Sequence, residues 1–207
     1  ISLTDCLDAQ GQSTGTITDI NTSVLMDPYG TVFDAKTGLP VAGATVTLLG
    51  CKTNPANGHV YCAYQLSTGT NFYNTFRLAQ QIGGYLVTMT SHDERIWVNT
   101  NIVNSGTGYN LNSNIWIGYN KVAEPGNVVE FRWVTDEQWK IDWTTNPNAT
   151  PENWFNSGEP NNGGGNEGSC HIWSIAQNSS RTWNDLNGGS TINGGQSFDQ
   201  VIIEFNE

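Results

Sequence analysis

The sequence predicts an α+β fold with a small all-β unit at its N-terminus. Two segments repeat apolar residues at helical spacing, and several others read as short strands between turn residues. The third observation is compositional. With 23 glycines, eight tryptophans and 13% charged residues, the chain reads as a loop-rich protein held by aromatic packing rather than as a helical bundle. Its 207 residues suffice for one large domain, or one ordinary domain and a small one.

Residues 1–50 form the predicted N-terminal unit. Gly11, Gly15, Gly30, Gly38 and Gly43 punctuate Thr- and Val-rich runs. The stretch from Asp27 to Leu48 (DPYGTVFDAKTGLPVAGATVTL) resembles the opening strands of β-sandwich modules in large bacterial surface proteins. Such a module needs about seven strands, more than fit here, so this is a partial or accessory β-unit ahead of a main domain over 51–207.

Within the main domain, Phe72, Phe76, Ala79 and Ile82 have helical spacing, and Gly83-Gly84 ends that helix before an apolar strand over Tyr85–Met89. Ser91 or Asp93 caps a second helix whose apolar face carries Ile96, Trp97 and Ile102. Strands follow at Ile115–Tyr119, Phe131–Thr135, His171–Ile175 and Gln200–Phe205, with Trp116 and Trp133 read as core. The long segment from Glu137 to Pro151 holds Trp139 and Trp143, which either flank a ligand or cover the core from outside.

Eight basic against 19 acidic residues give a net charge of −11. That balance disfavours nucleic acid and raises the local cation concentration. No apolar run approaches the roughly 20 residues needed to span a bilayer. The N-terminus, Ile1-Ser2-Leu3-Thr4-Asp5, lacks the regions of a signal peptide, so either a signal has been removed or the chain is a piece of something longer. Cys6, Cys51, Cys62 and Cys170 include no C-x-x-C pair, which argues against zinc. Their even number allows bridges in an oxidising compartment, and unpaired thiols in a reducing one are the alternative.

The residues that carry chemistry lie in Gly158-Glu159-Pro160-Asn161-Asn162-Gly163-Gly164-Gly165-Asn166-Glu167 and downstream in Trp183-Asn184-Asp185. Together they supply the carboxylates Glu159, Glu167 and Asp185 and the amides Asn161 and Asn184 on glycine-rich backbone. That is a set of hard oxygen donors. Ca2+ takes six to eight oxygens at about 2.3–2.6 Å, so five such side chains nearly complete a site and leave room for a ligand.

Glu159-Pro160-Asn161, the acid Glu167 and then Trp183-Asn184-Asp185, in that order and spacing, resemble the primary calcium- and sugar-binding site of C-type lectins. The resemblance extends almost continuously from Gly58 onward, with Ile115-Trp116-Ile117-Gly118 matching the family's Trp-Ile-Gly core strand. It implies a C-type lectin-like fold: two helices, small antiparallel sheets and a long loop region. It also implies a cis Glu159–Pro160 bond and one Ca2+ held by Glu159, Asn161, Glu167, Asn184 and Asp185. Vicinal sugar hydroxyls would bind directly on the metal against the same five residues. Glu-Pro-Asn rather than Gln-Pro-Asp implies equatorial 3- and 4-hydroxyls, as in mannose, glucose or N-acetylglucosamine, with fucose also admitted. The implied setting is extracellular or at the cell surface, in adhesion or glycan recognition, with neighbouring domains of a larger bacterial adhesin.

The ten residues between Cys51 and Cys62 match the N-terminal hairpin bridge of long-form family members, and such a short loop contributes roughly 2–3 kcal/mol by the chain-entropy estimate. Other features depart from the pattern. Ala79 and Ser169 stand near positions where the family has cysteines, so Cys170 either stays free or reaches Cys6. Gly168 stands where an aspartate would serve an auxiliary calcium site. The segment from Glu137 to Pro151 is longer than the family usually has.

Glu159, Glu167 and Asp185 also suggest glycoside hydrolysis, where paired carboxylates act as acid and base or nucleophile. A catalytic acid needs a raised pKa, whereas carboxylates on a divalent cation are held ionised, so the metal argues against an enzyme. His59, His92 and His171 lack nucleophile–base–orienter spacing and read as core or surface histidines. The stronger rival is a lectin-like fold used for protein contact around a structural calcium. Retention of all five coordinating residues favours sugar binding over it.

Overall fold

The computed structural model describes residues 45–123, 129–135 and 154–206. The predicted N-terminal unit up to residue 44, Cys6, and the Glu137 to Pro151 segment with Trp139 and Trp143 lie outside the described residues. The described residues form an α+β arrangement of two α-helices and small antiparallel sheets.

β1 (Val46–Thr53) and β2 (Val60–Leu66) form an antiparallel hairpin in which Cys51 stands opposite Cys62 and is disulfide-bonded to it. Residues 46–50, assigned above to the N-terminal unit, lie in β1 and pair with β2.

α1 (Phe72–Ile82) starts at Asn71, whose side chain accepts from the Asn74 N–H at 2.9 Å. It stops at Gly83, where φ is 91°, a left-handed conformation that glycine adopts without steric cost. Phe72, Thr75 and Ala79 are buried, and Phe76 and Ile82 half-buried.

The strand expected over Tyr85–Met89 is shorter: β3 is Tyr85–Leu86 alone. Val87 donates its N–H to Ile202 O at 3.2 Å and accepts from Gly118 N–H at 2.8 Å, so the continuing buried segment ties two sheets together instead of extending one.

Of the two candidate caps for α2 (His92–Val98), Ser91 serves, accepting from Glu94 N–H at 3.2 Å. The helix continues into a π-helical turn over Asn99–Val103. Its inward face differs from the expected one. Ile102 is buried and Trp97 half-buried, but Ile96 is 44% exposed because Glu94 and Arg95 turn inward. Glu94 accepts from Tyr61 Oη at 2.5 Å, from Asn57 Nδ2 at 2.8 Å and from both Thr90 donors, while the Arg95 guanidinium lies 5.3 Å from the Trp154 ring centre.

The remaining strands are β4 (Ile115–Ala123), β5 (Val129–Trp133), β6 (Ser169–Ile172), β7 (Trp183–Leu186), β8 (Ile192–Asn193), β9 (Gln196–Ser197) and β10 (Gln200–Phe205). They give a sheet ordered β1-β2-β10-β3, a second ordered β5-β4-β6-β7, and a β8-β9 ribbon. β6 ends at Ile172 rather than Ile175, because the Ser174 N–H leaves the ladder for Asn114 Oδ1 at 2.7 Å.

Trp116 and Trp133 are core residues, as expected. Trp183 is an aromatic hub, its ring centre 5.0 Å from Trp154, 5.7 Å from Phe155 and 5.9 Å from Trp133. Truncating such a residue to alanine costs about 3–5 kcal/mol, so the first residue of Trp183-Asn184-Asp185 anchors the two that follow. Cys170 is buried with a free thiol.

Candidate functional site

The site is built where β7 meets the loop carrying Glu159 to Glu167. Asp185 lies opposite Cys170 in the β6–β7 ladder and is almost fully buried. Its Oδ1 accepts from Asn161 N–H at 3.0 Å and its Oδ2 from Asn162 N–H at 2.9 Å. One carboxylate on a rigid strand therefore holds the backbone of the loop.

The loop is shaped to be held this way. The Glu159–Pro160 bond is cis, and Asn162 sits at φ 51°, a left-handed conformation for which asparagine is one of the few tolerant side chains. Asn162 Oδ1 accepts from Glu167 N–H at 3.2 Å, and the Gly163 N–H donates to Glu167 Oε2. A Cβ on Gly163 would lie 2.9 Å from Glu167 Oε2 and 3.1 Å from Asn161 Oδ1. Those two oxygens therefore converge on a space that only glycine leaves open.

Three carboxylates crowd this corner. Burial, then the neighbouring Asp185 and Glu167 carboxylates, push the Glu159 carboxyl up to about 7. Glu167 is raised as well, chiefly by burial and further by Asp185, against the opposing pull of the Gly163 N–H. Glu159 Oε2 is buried with no hydrogen-bond partner. An orphaned buried carboxylate oxygen beside two further carboxylates is costly by itself and is what a divalent cation relieves. The donor set fits Ca2+: carboxylate and amide oxygens, without sulfur or imidazole.

The structure thus brings Glu159, Asn161, Glu167 and Asp185 into one corner, where Asp185 acts on both loop acids, although the three carboxylates do not all lie within 4.8 Å of one another. Asn184 lies in β7 beside Asp185, but its amide nitrogen faces inward, 3.2 Å from His171 Nε2 and 2.6 Å from Asp185 O. His171 is fully buried, and burial pushes its imidazole down to about 4, so it is neutral at neutral pH.

A second polar cluster was not legible in the sequence. Among the described residues, His59, Glu94 and Glu204 are the one group of three His, Cys, Asp or Glu side chains whose ligating atoms all lie within 4.8 Å of one another. His59 Nδ1 is 2.6 Å from Glu204 Oε1, and Glu204 Oε2 accepts from the Thr88 N–H and hydroxyl. The cluster joins the residue before β2 with α2 and β10 through side chains more than 30 residues apart, and no local spacing announces such a pairing.

No protein-family model matches the chain. A perlucin-like protein of Mytilus galloprovincialis is 30% identical over 128 residues, spanning 60% of this chain and 67% of that protein. The Kupffer cell C-type lectin receptor Clec4f superposes with a TM-score of 0.50 at 18% identity, over 76% of this chain and 83% of the receptor chain. The C-type carbohydrate-recognition domain of cow CD23, solved in the presence of a GlcNAc2Man3 oligosaccharide, gives a TM-score of 0.50 at 18% identity over 76% of this chain and 98% of its own. The solved structures share the fold, and the mussel relative shares sequence over two thirds of its length. On both grounds this chain belongs to the C-type lectin-like family.

Proposed function

We propose that the protein binds carbohydrate in a calcium-dependent manner, through a single Ca2+ held by Glu159, Asn161, Glu167, Asn184 and Asp185. The observation that carries this reading is the partnerless, buried Glu159 Oε2 set between the Asp185 and Glu167 carboxylates. Bound there, calcium supplies open coordination positions for a pair of sugar hydroxyls. The chain's own residues do the discriminating: carboxylates accept the hydroxyl protons and amide groups donate to the oxygen lone pairs. The order Glu159-Pro160-Asn161 favours vicinal equatorial hydroxyls of mannose, glucose or N-acetylglucosamine type, and fucose.

The setting we assign is extracellular, in surface adhesion or glycan recognition, with the segment ahead of β1 as an accessory β-unit and further domains alongside. The Cys51–Cys62 bridge supports an oxidising compartment. No helix among the described residues is long and apolar enough to cross a membrane.

Thermal melting tests the reading. Calcium at a hundredfold excess over its Kd stabilises by about 2.7 kcal/mol, and methyl α-mannoside adds to that only when calcium is present. A melting curve unmoved by calcium contradicts the metal site. A mannoside effect that persists in EDTA contradicts direct coordination.

A further inference from the structure

The chain holds four Asn-Gly pairs, beginning at Asn57, Asn162, Asn187 and Asn193. An asparagine before glycine is open to a covalent change, because the following backbone nitrogen has no side chain beside it to hinder attack on the asparagine Cγ. The fold treats the four pairs differently. Asn57 Nδ2 donates to Glu94 Oε1 at 2.8 Å and to Tyr61 Oη at 3.2 Å, and the Gly58 N–H donates to Asn54 O at 2.8 Å, so the leaving amide and the attacking nitrogen are both held. Behind Asn187 the attacking residue, Gly188, is buried. Asn193 is half-buried, with Nδ2 3.3 Å from His171 Nε2.

Asn162-Gly163 differs on each count. Both residues are exposed, and Asn162 Nδ2 has no hydrogen-bond partner among the described residues. Asn162 Oδ1 accepts from the Glu167 N–H at 3.2 Å, which draws electrons away from Cγ, and the Gly163 N–H donates to a carboxylate oxygen, Glu167 Oε2, which pushes electrons onto the nitrogen. Gly163-Gly164-Gly165 give the main chain freedom to leave the left-handed turn at Asn162. We infer that Asn162 is a modification site: it deamidates in the folded protein ahead of the other three asparagines, and the conversion disables the loop in which it stands. Hydroxide from solvent takes the Gly163 N–H proton, and the nitrogen bonds to Asn162 Cγ. The bond from Cγ to the side-chain nitrogen breaks, and that nitrogen takes a proton from water, leaving as ammonia and returning hydroxide. Water then opens the succinimide ring at one carbonyl or the other, giving an aspartyl or an isoaspartyl residue. Either product adds a carboxylate beside Glu159, Glu167 and Asp185. The isoaspartyl form also lengthens the main chain by one carbon, between the N–H groups that Asp185 holds and the one that Glu167 holds. The effect on the metal rests on the calcium reading above, whereas the modification itself does not.

Peptide mass mapping of the full chain, after incubation in mildly alkaline buffer with EDTA, tests this, with a urea-unfolded sample run alongside. In the native protein the amide-to-acid mass change should appear at Asn162 before Asn57, Asn187 or Asn193, with isoaspartyl methyltransferase labelling of the same peptide. In urea the four pairs should convert at similar rates. Native Asn162 still intact when the unfolded sample has converted, or a native order no different from that in urea, would overturn the site. The isoaspartyl form, separated by ion exchange, should bind calcium about tenfold more weakly or worse by isothermal titration, since ligand placement and charge tune such sites. Equal affinity in converted and unconverted protein would overturn the disabling of the loop. Unconverted protein that binds no calcium overturns the metal reading and leaves the modification site standing.

Discussion

Asp185 accepts the backbone N–H groups of both Asn161 and Asn162, at 3.0 and 2.9 Å, from a strand more than 20 residues downstream. It is therefore a charge at the site and also the fastening of the loop that carries the other acids. In Asp185→Asn one of those N–H groups faces an amide nitrogen instead of an oxygen, and the site loses one negative charge. Calcium affinity by isothermal titration should drop on the order of tenfold or more, since charge count tunes such sites. Unchanged affinity would show that the loop organises a cation without this carboxylate.

The pH dependence should lie well above the ordinary carboxylate range near 4. Glu159 is pushed up to about 7 in the folded protein, against 4.5 when unperturbed. A group whose folded pKa is raised binds its proton more tightly folded than unfolded, so its contribution to stability grows as pH falls from about 7 to 4.5 and is lost above that window. Without metal, wild type should thus gain stability relative to Glu159→Gln on going from pH 8 to 5. With calcium the proton competes for the same oxygens, and the Kd should rise as pH falls through 7. His171, lowered to about 4, works in the other direction below 6.5 and is common to both proteins, so the comparison cancels it. A calcium affinity that stays flat from pH 8 to 5 would contradict the assignment of Glu159 as a ligand.

Gly163→Ala tests the convergence of oxygens. The added methyl would meet Glu167 Oε2 at 2.9 Å and Asn161 Oδ1 at 3.1 Å, so one of the two must give way. Because Gly163 is exposed, the melting temperature in EDTA should change little, while calcium affinity falls about tenfold or more. Equal affinity in the two proteins would mean that these oxygens do not share a cation.

Much of this was legible in the sequence because it depends on local spacing. The stop of α1 at Gly83, a cap at Ser91 or Asp93 and the closing strand at Gln200–Phe205 follow from neighbours in the chain, and the Cys51–Cys62 bridge from the family resemblance, whereas the Asn71 cap of α1 was not read. The Glu159-Pro160-Asn161 and Trp183-Asn184-Asp185 segments could be paired through their resemblance, in order and spacing, to the C-type lectin site. Features that depend on partners distant in sequence could not be read. Ile96 looks like a core residue on helical spacing, yet Glu94 and Arg95 take the inward face because Tyr61, Asn57 and Trp154 wait there with hydroxyl, amide and ring. His171 looks like an ordinary core histidine until its Nε2 is found beside Asn184. Val87 to Met89 have strand composition, but Val87 bonds to two different sheets at once, a matter of tertiary placement.

Specificity should follow the side of Pro160 that carries the acid. The double substitution Glu159→Gln with Asn161→Asp keeps the site's charge, so calcium should still bind, while sugar preference moves from mannose-like towards galactose-like hydroxyl geometry. Glu159→Gln alone removes a charge and should weaken calcium binding outright. A double variant with calcium bound and an unaltered sugar profile would mean that the ligand is read elsewhere on the surface, with Trp139 and Trp143 the next residues to substitute.

The central claim is that sugar is held through calcium at this loop. A glycan array probed with the protein in calcium, and again in EDTA, tests it most directly. Mannose-, glucose- or fucose-type glycans should be bound in calcium and none in EDTA. Glycan binding of equal strength in both conditions would contradict it.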